Sequence, residues 1–302
     1  MRTEPREPRV PPVLVLVVGI LAVSTASLFI RLAQRGAPAL AVAAWRLTLA
    51  SLILAPVTLA TRRRELASFS RRERRLALVG GVVLAAHFAT WITSLALTSV
   101  AASVVLVTTS PLFVGLFAYL FLHEELPPRL AAGMLLAIAG AIVIGVGDLE
   151  GGTHRITGDL LALAGALAAA VYFLIGRSLR ARLSLLGYIF PVYGLAAVAL
   201  LLFALLQGVP LLGYSPLTWL WLLLIALIPQ IVGHSSLNWA LRHLPVTYVS
   251  LAVLVEPIGS TLLAWWILQE APPETAVLGG LLILAGLAIA GRPRKIHKRP
   301  PA

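Results

Sequence analysis

The second half of this sequence repeats the first half at a constant shift of 146 residues. Aligned without a gap, residues 111–145 and 257–291 are identical at 12 of 35 positions. The identical positions include scarce residue types, namely Pro111/Pro257, Glu124/Glu270, Pro127/Pro273, Gly133/Gly279, Gly140/Gly286 and Gly145/Gly291. The start of each half obeys the same shift, because Gly19 and Arg31 correspond to Gly165 and Arg177. The fold must therefore be built from two copies of one unit.

The composition indicates that each unit lies in a membrane. Charged residues make up 12% of the 302 residues and hydrophobic residues 59%, whereas soluble domains are about 25% charged. A spanning helix needs about 20 mostly apolar residues. Ten such stretches lie at residues 13–30, 38–60, 76–97, 100–122, 130–147, 157–176, 184–207, 217–241, 246–268 and 274–291. These runs are continuous rather than alternating, which favours helices over a barrel.

Five spans in each unit make the two units inverted, because an odd number of crossings returns the chain on the opposite side. We predict an all-α membrane protein with ten transmembrane helices in two inverted five-helix repeats around a central cavity. Its parts are an N-terminal tail (1–12), the first repeat (13–147), a linker (148–156), the second repeat (157–291) and a basic tail (292–302). The first stretch could instead be a signal peptide, but its match to the sixth stretch favours a retained helix.

The distribution of positive charge predicts the orientation. If the N-terminus is cytoplasmic, 20 Lys and Arg residues lie in cytoplasmic segments, 3 lie outside, and Arg46 lies within a span. This asymmetry puts both termini in the cytoplasm and the chain in the inner membrane. The net charge of +12 is then a matter of topology, and no nucleic-acid partner is needed. We expect the stretch from Arg62 to Arg75 to lie along anionic lipid headgroups.

Four segments resemble one known family. They are AAWRLTLASLIL (43–54), YFLIGR (172–177), NWALRHLPVTYVSL (238–251) and LVEPIGSTLLAWWILQE (254–270). In their order, spacing and duplication they are similar to the EamA family of bacterial metabolite exporters, within the drug/metabolite transporter superfamily. The resemblance implies a single polypeptide whose cavity is lined by spans 1, 3, 4, 6, 8 and 9, with spans 5 and 10 at the periphery. It also implies an exporter that works as a monomer.

Two ionisable residues lie deep within spans, where they should face protein or water. Arg46 lies eight residues past Pro38, which is about 12 Å along a helix. Glu256 lies ten residues into span 9, about 15 Å deep by the same rise. These depths permit an ion pair, either as a static bridge between the repeats or as part of a substrate site. Their repeat equivalents are Val192 and Ser110, so each charge is unique to one copy.

Two polar stripes at helical spacing predict facing walls of the cavity. Span 3 carries His87, Trp91 and Ser94, and span 8 carries Gln230, His234 and Asn238 with Trp239 beside them. Each histidine could serve as hydrogen-bonded packing or as a group that titrates during transport. The predicted substrate-binding or cavity residues are Arg46, His87, Trp91, Ser94, Tyr172, Gln230, His234, Asn238, Trp239 and Glu256.

Other residues are assigned structural roles. Pro111 and Pro257 are candidate hinges, because proline removes a helix hydrogen bond, although neighbouring hydroxyls could simply satisfy the freed carbonyls. Small residues, including Gly133 and Gly140 in span 5, should allow close helix packing. Glu124 and Glu270 should cap the loops that follow their spans.

These features predict a secondary transporter of a small metabolite, most plausibly an amino acid or similar amphipathic compound, that works by alternating access. A drug carrier of the small multidrug type is disfavoured, because span 1 has no acid. A nucleotide-sugar carrier is disfavoured, because Arg46 is the only deep cation and phosphates need several. A membrane-embedded enzyme would need a nucleophile with a base or a clustered metal site. We predict no enzyme, cofactor or metal site, and a structural membrane protein remains the other alternative.

Overall fold

The computed structural model describes residues 10–122, 128–149, 152–240, 243–244, 253 and 255–290. Helices form nearly all of these ranges, and no β-strand occurs in them. Eight helical segments are long and apolar enough to cross a membrane, and two shorter apolar helices follow near the C-terminal end. The described chain therefore contains eight spanning helices and two shorter apolar helices, in the order of the ten predicted spans.

The helix bounds follow the predicted spans closely. Span 1 consists of Pro12–Ser24 and Ala26–Gln34, span 2 is Ala39–Ala67, span 3 is Arg71–Leu97, span 4 consists of Val100–Val107 and Ser110–Leu122, and span 5 is Pro128–Asp148. Span 6 is Thr153–Arg180, span 7 is Leu185–Leu206, span 8 runs from Pro216 to Ala240, span 9 is Val255–Leu268 and span 10 is Glu274–Ala290. Spans 2, 3 and 6 extend beyond their apolar stretches into charged sequence.

Serine caps determine where four of the helices begin. The hydroxyls of Ser70, Ser99, Ser184 and Ser215 accept a hydrogen bond from the backbone N–H three residues later, at the starts of spans 3, 4, 7 and 8. At Ser70 the carboxylate of Glu73 also accepts from the backbone N–H of Ser70, at 2.7 Å. These bonds satisfy N–H groups that the first helical turn leaves unpaired.

Five of the helix contacts are symmetric between the two repeats. Span 3 packs against span 6 and span 8 against span 1, spans 4 and 9 pack against each other, and so do spans 2 and 7 and spans 5 and 10. Each contact is matched by its counterpart when spans 1–5 are exchanged with spans 6–10. Glycines follow the same rule, because Gly165 lies against Trp91 and its equivalent Gly19 lies against Leu237, the equivalent of Trp91.

Spans 5 and 10 cross where the small residues predicted a close approach. A methyl group added at Gly140 would lie 2.5 Å from the carbonyl oxygen of Gly279, and one added at Gly286 would lie 2.5 Å from that of Gly133. Backbones come this close only where side chains are absent. These glycines are therefore packing residues that bring the two repeats together.

Spans 1 and 4 are broken, and hydroxyl groups occupy both breaks. Span 1 breaks at Thr25, beside which Ser260 of span 9 donates to the carbonyl of Ser24 at 3.1 Å. Span 4 breaks at Thr108 and Thr109, whose hydroxyls donate to backbone carbonyls in the preceding turn. Pro111 follows that break as the second residue of its helix, and Pro257 lies in the first turn of span 9 as described. The hinge roles of both prolines stay predictions.

The outer surface of the bundle is apolar, with large exposed side chains such as Leu135, Leu160, Leu206 and Trp266. The arginines between Arg62 and Arg75, at the end of span 2 and the start of span 3, are exposed. Their contact with anionic lipid stays a prediction. Both predicted terminal tails lie almost entirely outside the described residues, as does Glu124.

Candidate functional site: a buried arginine between the two repeats

Arg46 is the most unusual side chain in the described bundle. It is 0% exposed, and it lies in span 2, eight residues past Pro38. Its Nε donates to Oε1 of Gln230 in span 8, at 2.6 Å. Nη1 and Nη2 have no hydrogen-bond partner. A buried charged group without acceptors is costly, so the unpaired end of Arg46 is a candidate for ligand contact.

Aromatic rings from span 3 support the guanidinium group. The guanidinium carbon lies 4.1 Å from the ring centre of Phe88 and 5.7 Å from that of Trp91. A cation over an aromatic face is attracted by the electron-rich ring. The Phe88 ring in turn meets the His234 ring edge to face, with 6.0 Å between centroids. Phe88 and His234 are equivalent under the 146-residue shift, so equivalent positions of the two repeats meet beside Arg46.

The predicted ion pair between Arg46 and Glu256 does not form within the 4.0 Å limit for a salt bridge. The ion pairs of the described residues are Arg31–Glu270, Arg155–Asp148 and Arg182–Glu73. Glu256 is half-buried, and it is close enough to interact electrostatically with Arg46. The side chain bonded to Nε of Arg46 is Gln230 and not Glu256.

His87 serves as packing in this structure. Its Nδ1 lies 2.9 Å from the carbonyl oxygen of Gly165, which can only accept, so Nδ1 donates. Its ring stacks on Trp91 with 5.9 Å between centroids. His87 therefore links span 3 to span 6 at Gly165, which has no side chain to block the contact.

The remaining predicted residues divide between the centre and its surroundings. Ser94 donates to the carbonyl of Trp91 and bonds to Ser103 at 2.6 Å, so it joins spans 3 and 4. Asn238 donates to the carbonyl of His234. Trp239 contacts His243, with 4.1 Å between ring centroids. Tyr172 is buried and stacks on Tyr188, with 6.1 Å between centroids.

The polar stripe of span 8 lies on a helix of unexpected geometry. Residues Ala226–His234 form a π-helix, with Pro229 inside it. Proline lacks a backbone N–H, so it favours a local change of hydrogen-bond register. The four-residue spacing of Gln230, His234 and Asn238 therefore does not trace a regular α-helical face. π-Helical segments occur frequently at functional sites.

Three contributors to this centre were not predicted. Phe88 lies under the guanidinium group, Tyr193 of span 7 is within its electrostatic reach, and Tyr188 packs beside Tyr172. Phe88 is apolar and therefore carries no polar signal in a membrane sequence. The repeat offered one clue, because the shift pairs Phe88 with the predicted His234.

Within the described ranges, no group of three or more His, Cys, Asp or Glu side chains is arranged to hold a metal ion. The centre is instead a cationic and aromatic group contributed by spans 2, 3, 7 and 8. Nη1 and Nη2 of Arg46 are the charged hydrogen-bond donors of this centre that have no acceptor.

Comparison with known proteins decides the family. The model of the EamA-like transporter family matches residues 10–146 and again residues 156–292. The chain belongs to the EamA-like transporter family. The start and end of the second EamA match follow those of the first by 146 residues, which is the repeat shift of the sequence.

Relatives of this EamA chain are named as transporters. An uncharacterized transporter of Archaeoglobus fulgidus is 28% identical over 61% of this chain and 64% of its own length. A probable terminal-alkyne amino-acid exporter of Streptantibioticus cattleyicolor is 29% identical over 65% of each chain. The chain thus spans slightly less than two thirds of these relatives. The pseudopaline exporter of Pseudomonas aeruginosa is 26% identical over 76% of this chain and 78% of its own.

A crystal structure shares the fold of this EamA chain. It superposes with a TM-score of 0.67 over 92% of this chain and 96% of the other, at 22% sequence identity. The comparison supports the complete helical arrangement and carries no information about the transported compound.

Proposed function

We propose that this protein is a secondary transporter that exports a small amphipathic metabolite, an amino acid or a similar compound, by alternating access. Membership of the EamA-like family and the names of the relatives support transport. The names of the amino-acid and pseudopaline exporters support the outward direction. The proposal also takes the chain to be a monomeric protein of the inner membrane with both termini in the cytoplasm, as the charge distribution predicts.

The observation that carries the proposal is the buried, partly unpaired Arg46 between the repeats. Inverted-repeat transporters bind their substrates near the membrane midplane where the two repeats meet. Arg46 belongs to the first repeat and Gln230 to the second, so their contact crosses this boundary. Relative motion of the repeats would therefore change the surroundings of the proposed site.

The alternatives account for fewer of these features. A structural membrane protein gives no reason for an unsatisfied arginine at this depth. A nucleotide-sugar carrier would need more cations for its phosphates, and Arg46 is the only arginine among the buried residues described. Family membership also favours a transporter over a membrane-embedded enzyme.

Flux measurements with the purified full-length protein in liposomes test the proposal. The liposomes would be loaded with each of the labelled amino acids and with other small metabolites, and release would be followed with and without a pH gradient. We expect saturable release of at least one compound, which unlabelled compound inhibits. Empty liposomes are the control for leakage. Release equal to the control for every compound would contradict the proposal.

A further inference from the structure

The unpaired end of Arg46 has the chemistry of a carboxylate site. A guanidinium group carries five N–H donors and cannot release its charge by losing a proton in a protein. One donor is used by Gln230, and the donors of Nη1 and Nη2 have no acceptor. The ring of Phe88 supports the charge of Arg46 but cannot accept these in-plane hydrogen bonds as an oxygen would. A pair of acceptor oxygens is what the group lacks.

We infer that Nη1 and Nη2 of Arg46 bind the carboxylate of the transported molecule. The inference rests on the proposed transport function and specifies its substrate class. A carboxylate presents two oxygens in the plane and at the spacing of the guanidinium fork, and its single charge balances one arginine. A phosphate would bring more charge than this one cation offsets.

Gln230 and Phe88 act as positioning residues for Arg46. Gln230 fixes Nε at 2.6 Å, and Phe88 lies 4.1 Å below the guanidinium carbon, so the orientation of the fork is set before a ligand arrives. Trp91 and Phe88 provide apolar surface beside it. The repeat equivalents of Arg46 and Gln230 are Val192 and Leu84. The site therefore exists in one orientation, as an asymmetric ligand requires.

The wild-type protein provides the first test. Labelled L-leucine, L-phenylalanine and L-threonine would be compared with L-leucinamide and L-phenylalaninamide, which lack the free carboxylate, in binding and flux assays. We expect the acids to bind roughly 30- to 100-fold more tightly than the amides, as the loss of hydrogen bonds to a charged group requires. Equal flux of acids and amides would overturn the carboxylate site and leave the transport function intact. If neither acids nor amides bind, the amino-acid transport proposal fails together with the site.

The variants Arg46→Gln and Arg46→Lys provide the second test. Arg46→Gln should lose the preference for the acid over the amide, and Arg46→Lys should retain part of it, because lysine keeps the charge but not the fork. Arg35→Gln is the matched control, since Arg35 is exposed, and it should behave as wild type. An unchanged acid preference in folded Arg46→Gln would overturn the site. If that variant fails to fold, the wild-type comparison decides.

Glu270 contacts Arg31 at the far end of span 1. Nη2 of Arg31 lies 3.0 Å from Oε2 and 3.1 Å from Oε1 of Glu270, and it also donates to the carbonyl of Thr98 at 3.0 Å. Oε1 of Glu270 accepts from the backbone N–H of Val100 at 2.7 Å. The expectation that Glu270 caps its own loop is therefore wrong. Glu270 instead joins span 9 to span 1 and to the turn between spans 3 and 4.

Discussion

The central residue of this protein is kept in place by a neutral partner. Gln230 accepts from Nε of Arg46 and leaves the rest of the guanidinium group unpaired. A carboxylate at position 230 would instead form a buried ion pair and neutralise the charge. Because Gln230 is an amide and not an acid, Arg46 remains available to another anion. The sequence shows both residues but not their contact, since 184 positions separate them.

We predict that Gln230→Glu lowers flux of a carboxylate substrate by at least 10-fold while the protein stays folded. The new carboxylate occupies the guanidinium group and competes with the substrate. Gln230→Leu, which removes the acceptor, should lower stability by roughly 1–3 kcal/mol, because it leaves a buried charged donor without a partner. Flux assays and thermal unfolding in detergent measure both effects. Undiminished flux in Gln230→Glu would contradict the assignment.

At the scale of helices, the two repeats differ in regularity as well as in sequence. Span 8 contains the π-helix Ala226–His234, whereas its equivalent, span 3, is one α-helix from Arg71 to Leu97. Pro229 corresponds to Val83, so the residue that removes an N–H is present in one copy. The altered helix carries Gln230 and His234. Local departure from symmetry thus coincides with the candidate site.

The crossing of spans 5 and 10 yields a prediction with a control in the same helix. Gly140→Ala should destabilise the protein by roughly 1–3 kcal/mol, because the new methyl would lie 2.5 Å from a backbone oxygen and 2.8 Å from Ile283. Gly145→Ala should be neutral or slightly stabilising, since nothing lies within 4 Å and alanine favours helix. Thermal unfolding of both variants measures the difference. Equal midpoints would show that the crossing is looser than described.

At the scale of the whole molecule, spans 1–5 pack against spans 6–10 as the two copies of an inverted duplication. Five pairs of helices in contact match when the repeats are exchanged, namely spans 3 and 6, spans 8 and 1, spans 4 and 9, spans 2 and 7, and spans 5 and 10. The charges of the loops, and not this packing, are the basis of the predicted orientation in the membrane.

The predicted orientation can be measured with single cysteines, because the natural sequence has none. Ser68→Cys lies in the exposed turn between spans 2 and 3, and His154→Cys lies at the exposed start of span 6. In intact cells, we expect an impermeant maleimide to label His154→Cys and to label Ser68→Cys only after permeabilisation. The positive-inside distribution is the reason. The reverse pattern would invert the assigned topology.

The sequence by itself determined the class of fold, the number and order of the spans, and their duplication. The length of the apolar stretches, the scarce residues repeated at a fixed shift and the charge asymmetry are properties of the sequence. Each can be recognised without knowing which residues are in contact. The sequence also singled out Arg46, because a charge within an apolar run is conspicuous. It did not reveal the contact of Arg46 with Phe88, since an apolar ring carries no comparable signal.

Only the tertiary structure decided which residues meet. It joined Arg46 to Gln230 rather than to Glu256, and Glu270 to Arg31 rather than to its own loop. It also showed that Gly140 and Gly145 differ in their surroundings, although both are repeated in the second half. Gly140 lies against the backbone of span 10, whereas nothing lies within 4 Å of a methyl group added at Gly145. The sequence gives the depth of a residue within its span. Which residues are in contact also depends on how each helix is rotated and on which helices are neighbours. Packing between the repeats sets both, and neither can be inferred from the linear sequence.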